Sequence, residues 1–244
     1  MKSKLFQFLK KDKTSSVLLL GRADCEATDK VLNLLKTLKC DITFIRSITR
    51  GENLPDSIKN WHGDFIFSFR SLFILPKHLL NNARVAAINF HPAPVEYPGS
   101  GCVNFALYDD AKEYGVTAHI MTEKIDGGPI LDCKRFAIYP EDTVKTLLER
   151  THLKLQDLFF EVAPRLIKGG ESQLTEMLSK CSQEKWRGSA RMIKELDELR
   201  TIPTNINAAE LKRIIRATYT DKFPPIIQLH GYEFILKISN KVKL

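Results

Sequence analysis

The feature that most constrains the fold of this chain is a regular alternation of β-forming runs with helical stretches in its first half. Four apolar, β-branched or aromatic runs occupy residues 16–20, 41–45, 64–68 and 86–89. Between the first two runs, apolar residues recur at helical spacing over 31–38. A β-α-β order of this kind predicts an α/β fold with a doubly wound, mostly parallel sheet.

The second half of the chain predicts further elements and a smaller unit. Helices are expected at 76–82, 103–110 and 142–168, the last one ending at Gly169-Gly170, and strands at 115–121 and 130–138. Beyond about residue 175, helical patterns at 194–200 and 208–217 precede two strands at 226–230 and 233–238. We therefore predict a main domain over 1–185 and an appendage over 186–244 that ends in a β-hairpin.

Composition excludes several classes of protein. The net charge of +8 comes partly from scattered lysines near both ends, without a nucleic-acid-binding motif, so no nucleic-acid partner is predicted. Five widely spaced cysteines without a CxxC pair predict reduced thiols and no metal site. Neither a signal-peptide pattern nor a run of about 20 apolar residues is found, so we expect a cytoplasmic protein without a membrane partner.

A candidate catalytic pair lies at the end of the fourth strand. Asn89 and His91 are two residues apart, so in an extended strand their side chains project to the same side. Doubly wound sheets bind ligands beyond the carboxyl ends of their strands. Three prolines stiffen the loop that follows, and Gly99 allows its backbone to approach a ligand closely. The alternative is a histidine that merely bonds a loop carbonyl.

A candidate partner for His91 lies in the turn Asp126-Gly127-Gly128, between two predicted strands. If this hairpin returns antiparallel to the fourth strand, the Asp126 carboxylate comes beside the imidazole. A buried carboxylate there fixes the tautomer of the ring and stabilises its charged form. The alternative is an ordinary turn.

Four linked motifs between residues 72 and 131 resemble those of the folate-dependent formyltransferases. The motifs are Asn89–Pro92, Tyr97–Gly99, Gly115–Met121 and Ile125–Leu131. This family includes methionyl-tRNA formyltransferase, glycinamide ribonucleotide transformylase and the nucleotide-sugar N-formyltransferases. The resemblance implies a Rossmann-like domain, 10-formyltetrahydrofolate as the formyl donor, no metal, and catalytic roles for Asn89, His91 and Asp126.

The resemblance also implies where the folate binds, namely between two loops. The first loop comprises Ser71, Leu72, Phe73, Ile74 and Leu75, and the second Thr122, Glu123, Lys124, Ile125 and Asp126. The first is apolar enough to hold a flat pterin while its main chain supplies hydrogen bonds. In the chemistry implied, Asn89 donates to the developing oxyanion, a contact typically worth about 3 kcal/mol. His91 stabilises charge or moves the proton of the amine.

The acceptor is expected to be a nucleotide-linked amino sugar, because the loop 91–99 and the C-terminal tail are similar to those of the nucleotide-sugar enzymes. The first candidate is dTDP-4-amino-4,6-dideoxyglucose, whose formylated product is expected to enter the O-antigen of lipopolysaccharide. The enzyme is expected to be a homodimer. The alternative acceptors are methionyl-tRNA and glycinamide ribonucleotide. The alternative functions are a hydrolase that releases formate from the folate and a non-catalytic folate-binding module.

The diphosphate of such an acceptor requires cations. Lys77 is the first candidate, because a lysine at a helix N-terminus favours anion binding. Arg70 and Arg22, at strand ends, are further candidates. Tyr97 and Gly99 are expected to line the sugar pocket.

Overall fold

A six-stranded sheet forms the centre of the molecule. The computed structural model describes residues 14–238, so the lysine-rich ends of the chain lie outside the described residues. The strands are β1 (Ser16–Arg22), β2 (Asp41–Ser47), β3 (Gly63–Phe69), β4 (Ala83–His91), β5 (Glu113–Ile120) and β6 (Ile130–Ala137). Their spatial order is β2-β1-β3-β4-β5-β6. The first four strands are parallel, and β5 and β6 are antiparallel to their neighbours, which confirms the predicted α/β, mostly parallel sheet.

Helices cover both faces of this sheet, and a hairpin follows them. The helices are α1 (Glu26–Thr37), α2 (Asp56–Lys59), α3 (Lys77–Asn81), α4 (Cys102–Tyr108), α5 (Val144–Lys180), α6 (Ile193–Leu199) and α7 (Ala208–Thr218). The hairpin consists of β7 (Ile226–Leu229) and β8 (Tyr232–Ile235), and Gly231 in its turn has φ +83°, as the predicted hairpin requires.

Alternation along the strands divides the core into two layers. Phe65, Phe67 and Phe69 of β3 point to the face that α1 and α5 cover, where Phe159 of α5 packs edge-on against Phe67 and Phe69. Ile66 of β3 points to the opposite face, against the residues of α2 and α3. Burial on both faces explains why the strands read as continuous apolar runs.

Gly170 interrupts α5, and some helical details differ from the predictions. The helix was predicted to end at Gly169-Gly170, and the dihedral angles of Gly170 are non-helical (φ 54°, ψ −137°), but a second helical segment that was not predicted follows up to Lys180. The helix resumes because Leu174, Met177 and Leu178 pack against the same core as the preceding turns. The single turn α2 was not predicted, and Pro76 caps α3 rather than lying within its first turn.

The segment after α5 lies across the loop that follows β4. Within this segment, which we call the strap (residues 182–192), the Arg187 N–H donates to the Val95 carbonyl at 2.9 Å. Arg191 exchanges backbone hydrogen bonds with Pro98 (3.0 Å) and Ser100 (2.8 Å). The first residues of the predicted appendage therefore pack on the main domain, and the boundary at 185/186 stays a prediction.

Candidate active site

Two neighbouring strands bring three polar side chains together at one edge of the sheet. Asn89 and His91 lie at the carboxyl end of β4, and β5 runs antiparallel beside it with His119 opposite Asn89. Asp126 lies in the connection from β5 to β6, in a left-handed conformation with φ +42°. Aspartate tolerates this conformation better than most residues, which suits the turn.

The Asp126 carboxylate lies between two imidazoles. Its Oδ2 atom is 3.4 Å from His91 Nδ1, and its Oδ1 atom is 3.3 Å from His119 Nε2. The backbone N–H of Gly99 donates a further hydrogen bond to Oδ2 at 2.8 Å. All three side chains are 7% exposed or less. The expected proximity of His91 and Asp126 is therefore observed.

Burial and charge act in opposite directions on these groups. Burial raises the pKa of Asp126, but the two imidazoles and the Gly99 N–H outweigh it and hold that pKa at about 2. Burial lowers the pKa of His91 below its ordinary 6.5, although the Asp126 charge opposes this effect. At neutral pH, the pair therefore consists of an ionised carboxylate and a neutral imidazole that is able to accept a proton.

His119 was not singled out from the sequence, although it stands inside one of the four motifs. Its Nδ1 atom is 2.8 Å from the Ile120 carbonyl, which requires a hydrogen on Nδ1. Its Nε2 atom lies 3.2 Å from the side-chain amide nitrogen of Asn89 and 3.3 Å from Asp126 Oδ1, so the ring contacts both groups. His119 thus orients the carboxamide of Asn89, a role that only the β4–β5 register reveals.

Trp186 of the strap is the second residue that the sequence analysis missed. Its ring lies edge-on to both imidazoles, with centroids 5.7 Å from His91 and 5.0 Å from His119. The indole N–H donates to the Gly128 carbonyl at 2.8 Å, which ties the strap to the turn that carries Asp126. Trp186 lies far from both histidines in the sequence, so no local pattern links them.

Cys102 also contacts the site, as a protonated thiol and not as a thiolate. Its sulphur is 3.8 Å from His91 Nε2 and donates to the Gly99 carbonyl at 3.2 Å. Burial raises the pKa of this thiol to about 12, so it is not a nucleophile at neutral pH.

The two predicted folate loops lie side by side. Phe73 and Leu75 are buried in the core, whereas Ile74 between them is 75% exposed. In the second loop, residues 122–125 are exposed and Asp126 is buried. Lys77 lies two residues after the first loop, and its Nζ atom is 2.8 Å from Glu123 Oε2 of the second loop.

The predicted acceptor residues occupy different surroundings. Lys77 is exposed and paired with Glu123, whereas the Arg70 guanidinium donates to Cys25 Sγ at 3.0 Å. The Tyr97 ring packs on Tyr114, and the Tyr97 carbonyl lies 3.0 Å from His91 Nε2. The N–H of Gly99 is directed at Asp126. Their roles in acceptor binding stay predictions.

The described residues contain neither a cluster suited to a metal ion nor a helix suited to a membrane. Between residues 14 and 238, no group of three or more histidine, cysteine, aspartate or glutamate side chains is arranged to hold a metal ion. In the same part of the chain, no helix has the length and apolar character needed to cross a membrane.

Comparison with known proteins identifies the family. Residues 19–163 match the family model described as formyl transferase, which is more than half of the chain, and the chain belongs to this family. It is 34% identical over 96 residues to methionyl-tRNA formyltransferase of Pediococcus pentosaceus, covering 39% of this chain and 30% of that protein. It is 29% identical over 159 residues to methionyl-tRNA formyltransferase of Lactobacillus johnsonii, covering 65% and 48%. The chain thus spans half or less of these curated relatives.

Solved structures with the same fold match nearly the whole chain. A sugar N-formyltransferase from a Shewanella species has a TM-score of 0.70 at 20% identity, with 92% of this chain and 97% of that chain covered. A 4-N formyltransferase from Francisella tularensis has a TM-score of 0.67 at 17% identity, with the same coverage. An N-formyltransferase from Helicobacter canadensis, solved with folinic acid and dTDP-3-aminofucose, has a TM-score of 0.65 at 14% identity, covering 88% and 84%. At these identities, the likeness establishes the fold.

Proposed function

We propose that this protein transfers a formyl group from 10-formyltetrahydrofolate to the amine of a nucleotide-linked amino sugar. The observation that carries this proposal is the buried contact between His91 Nδ1 and Asp126 Oδ2 at 3.4 Å, beside Asn89 on the same strand end. A neutral imidazole, an ionised carboxylate and a primary amide are the groups that acyl transfer to an amine requires. Membership of the formyl transferase family supports formyl as the acyl group.

The surroundings of the site are compatible with a reduced folate. Ile74 offers an exposed apolar side chain for a flat ring, and the neighbouring loop 122–125 is open to solvent. A cavity of about 780 Å³ adjoins this position, lined by Ile74, Pro76, His78 and residues 51–56 and 59. This volume is in the range of small-molecule sites. The bound folate would supply the formyl carbon, while the protein positions the amine and moves its proton.

Each polar side chain then has a distinct task. Asn89, held by His119, donates an amide N–H to the formyl oxygen as negative charge develops there. Neutral His91 accepts the proton that the attacking amine loses, and Asp126 stabilises the imidazolium that results. His91 later returns this proton towards the departing nitrogen. Trp186 and Cys102 cover the imidazole and limit its contact with water.

The choice of acceptor is supported by how much of this chain each comparison covers. The Shewanella sugar N-formyltransferase matches 92% of this chain, whereas the methionyl-tRNA formyltransferase of Lactobacillus johnsonii matches 65% of it. We propose a dTDP-linked 4-amino-4,6-dideoxy sugar as the first acceptor to test, with surface polysaccharide as the destination of the product. Methionyl-tRNA is the second candidate, because the relatives found by sequence bear that name.

We also propose that a second copy of the chain pairs at the hairpin. Tyr232, Phe234 and Ile235 of β8 are 55–72% exposed, and Leu229 of β7 is 43% exposed. An antiparallel pair that presents this many apolar side chains to water is stabilised by covering them.

One experiment tests the proposed function directly. The protein is incubated with 10-formyltetrahydrofolate and a panel of nucleotide-linked 3- and 4-amino sugars, with methionyl-tRNA in parallel, and products are examined for the gain of one formyl group. His91→Ala is expected to abolish transfer while folate binding is retained. Formate release that is equal with and without an acceptor would instead indicate a hydrolase. Wild-type protein that formylates no amine would favour a non-catalytic folate-binding module.

A further inference from the structure

Two arginines share a level of the sheet with the candidate catalytic histidine. In the β1–β3 register Leu20 lies opposite Ser68, and in the β3–β4 register Phe69 lies opposite Phe90. Continuing both registers brings Arg22, Arg70 and His91 to the same level at the carboxyl ends of three adjacent strands. Because neighbouring strands are about 4.8 Å apart, the backbones of Arg70 and Arg22 lie about 5 and 10 Å from that of His91.

This position is also the switch point of the sheet. From β1 the chain turns into α1 on one face, whereas from β3 it turns towards α3 on the other. The two connections diverge between β1 and β3, directly beside Arg22 and Arg70. In open α/β sheets, the crevice at such a point is where ligands bind.

In the part of the chain that the structure describes, neither guanidinium has a carboxylate partner. Within residues 14–238, no aspartate or glutamate oxygen lies within 4 Å of Arg22 or Arg70, and the hydrogen bond found for the Arg70 guanidinium goes to Cys25 Sγ. Many other arginines do have such a partner, for example Arg84 with Asp64 and Arg150 with Asp142. Arg70 is half-buried, where a cation without an anion is unfavourable, and a bound anion would relieve this cost.

Two further observations concern these arginines: their charge acts on a neighbouring histidine, and the backbone of Arg70 is strained. Burial, together with the charges of Arg70 and Arg22, lowers the pKa of His152 on α5 to about 4. Arg70 itself has φ +56°, a conformation that costs a non-glycine residue about 1 kcal/mol or more. Such backbone strain is found where the placement of a side chain matters more than local stability.

We infer that Arg22 and Arg70 bind the diphosphate of the acceptor. This inference rests on the proposed function, since it concerns the acceptor of the same site. In a hexose whose 4-amine reacts, the oxygen that carries the diphosphate lies across the ring, so the diphosphate must lie one ring's width from His91. The backbones of Arg70 and Arg22 lie in a row away from His91, which matches that geometry, and guanidiniums bind phosphate oxygens through paired N–H groups. Lys77 is less suited, because Glu123 already neutralises it.

Binding of the acceptor's nucleotide part tests this assignment. We would titrate wild type, Arg22→Gln, Arg70→Gln, Arg70→Lys and Lys77→Gln with dTDP and with thymidine in a calorimeter. Arg84→Gln is the matched control, because Arg84 lies at the amino end of β4, whereas Arg22 and Arg70 lie at the carboxyl ends of their strands. Loss of a charge-assisted contact predicts a roughly 10- to 100-fold weaker dTDP affinity for Arg22→Gln and for Arg70→Gln, and a smaller loss for Arg70→Lys. Lys77→Gln, Arg84→Gln and all affinities for 5-formyltetrahydrofolate are expected to stay within about twofold of wild type.

Three outcomes would overturn the assignment: no dTDP binding by the wild type, wild-type affinity in both arginine-to-glutamine variants, or a loss that follows Lys77→Gln instead. Arg22 is exposed, so its variant is expected to fold and keeps the test decisive even if Arg70→Gln does not fold. Formyl transfer is measured separately. Transfer without arginine-dependent dTDP binding refutes only the diphosphate site, whereas arginine-dependent binding without transfer to any amine refutes only the proposed function.

Discussion

The side-chain amide of Asn89 lies 3.2 Å from Nε2 of His119, its neighbour in the β4–β5 register. The Nδ1 atom of the same ring lies 2.8 Å from the Ile120 carbonyl, and Nε2 also lies 3.3 Å from Asp126 Oδ1, so the ring is held between these groups beside Asn89. The orientation of the proposed oxyanion donor therefore depends on a second histidine that does not contact the reacting atoms directly.

Replacement of His119 by phenylalanine should impair catalysis more than binding. Without the His119 contact, the Asn89 carboxamide is free to rotate, and we expect kcat to fall about 10-fold or more. The dissociation constant for 5-formyltetrahydrofolate should be nearly unchanged, and His119→Gln, which retains a polar partner, should recover part of the loss. A purely structural role for His119 would instead lower thermal stability in both variants and leave kcat of the folded fraction unchanged.

The pH dependence of the reaction should report the lowered pKa of His91. If neutral His91 is the base, kcat rises with pH through an apparent pKa below 6.5 and is level above it. Asp126→Asn removes the charge that opposes the effect of burial, so this limb should move to lower pH in the residual activity of the variant. Initial-rate assays between pH 4.5 and 8 test both statements. A shift of the limb towards higher pH in Asp126→Asn would contradict the assignment of His91 as the base.

Asp126 should also link stability to pH. Its pKa is lowered from 3.8 to about 2, so its ionisation stabilises the fold fully above pH 4 and progressively less as the pH falls towards 2. The difference in free energy of unfolding between wild type and Asp126→Asn should shrink by about 2 kcal/mol from pH 5 to pH 2. Urea titrations at each pH measure it. Asp41→Asn, an exposed carboxylate at the start of β2, is the control, and a constant difference would argue against a strained, ionised Asp126.

Gly99 and Gly51 both have positive φ, so alanine substitutions at these positions distinguish the cost of steric contact from the cost of backbone conformation. A Cβ atom on Gly99 (φ +93°) would lie 2.4 Å from the backbone N and O atoms of Arg191, whereas one on Gly51 (φ +81°) would meet nothing within 4 Å. Gly51→Ala should therefore cost about 1 kcal/mol of unfolding free energy, the conformational part alone. Gly99→Ala should cost clearly more and should expose the strap, seen as a red shift of Trp186 fluorescence. Equal costs would show that the strap adapts.

The proposed dimer is tested by changing the surface of the hairpin. Phe234→Lys places a charge among the exposed apolar residues of β8 and should shift the protein from dimer to monomer. Sedimentation velocity at several protein concentrations measures the shift. Leu153→Lys, which changes an exposed apolar residue on α5, is the control. A wild type that is monomeric at every concentration would refute the dimer.

Much of the fold was predictable, because local periodicity records which side chains the core buries. The runs at 16–20, 41–45, 64–68 and 86–89 became β1 to β4, since strands buried on both faces must be continuously apolar. The interruption at Gly169-Gly170 was predicted, but the helical segment after it was not, because the packing of Met177 on the core that stabilises this segment is a tertiary contact.

The candidate site divides in the same way. By itself, the sequence determined the order of the strands along the chain and the motifs of Asn89, His91 and Asp126, because these are properties of neighbouring residues. The contacts of His119 with Asn89, of Trp186 with both imidazoles and of Lys77 with Glu123 are visible only in the folded molecule. The same holds for Arg22 and Arg70, which have no carboxylate partner among residues 14–238. Those contacts depend on strand register and on the path of a segment distant in sequence, and no local pattern of residues encodes either of them.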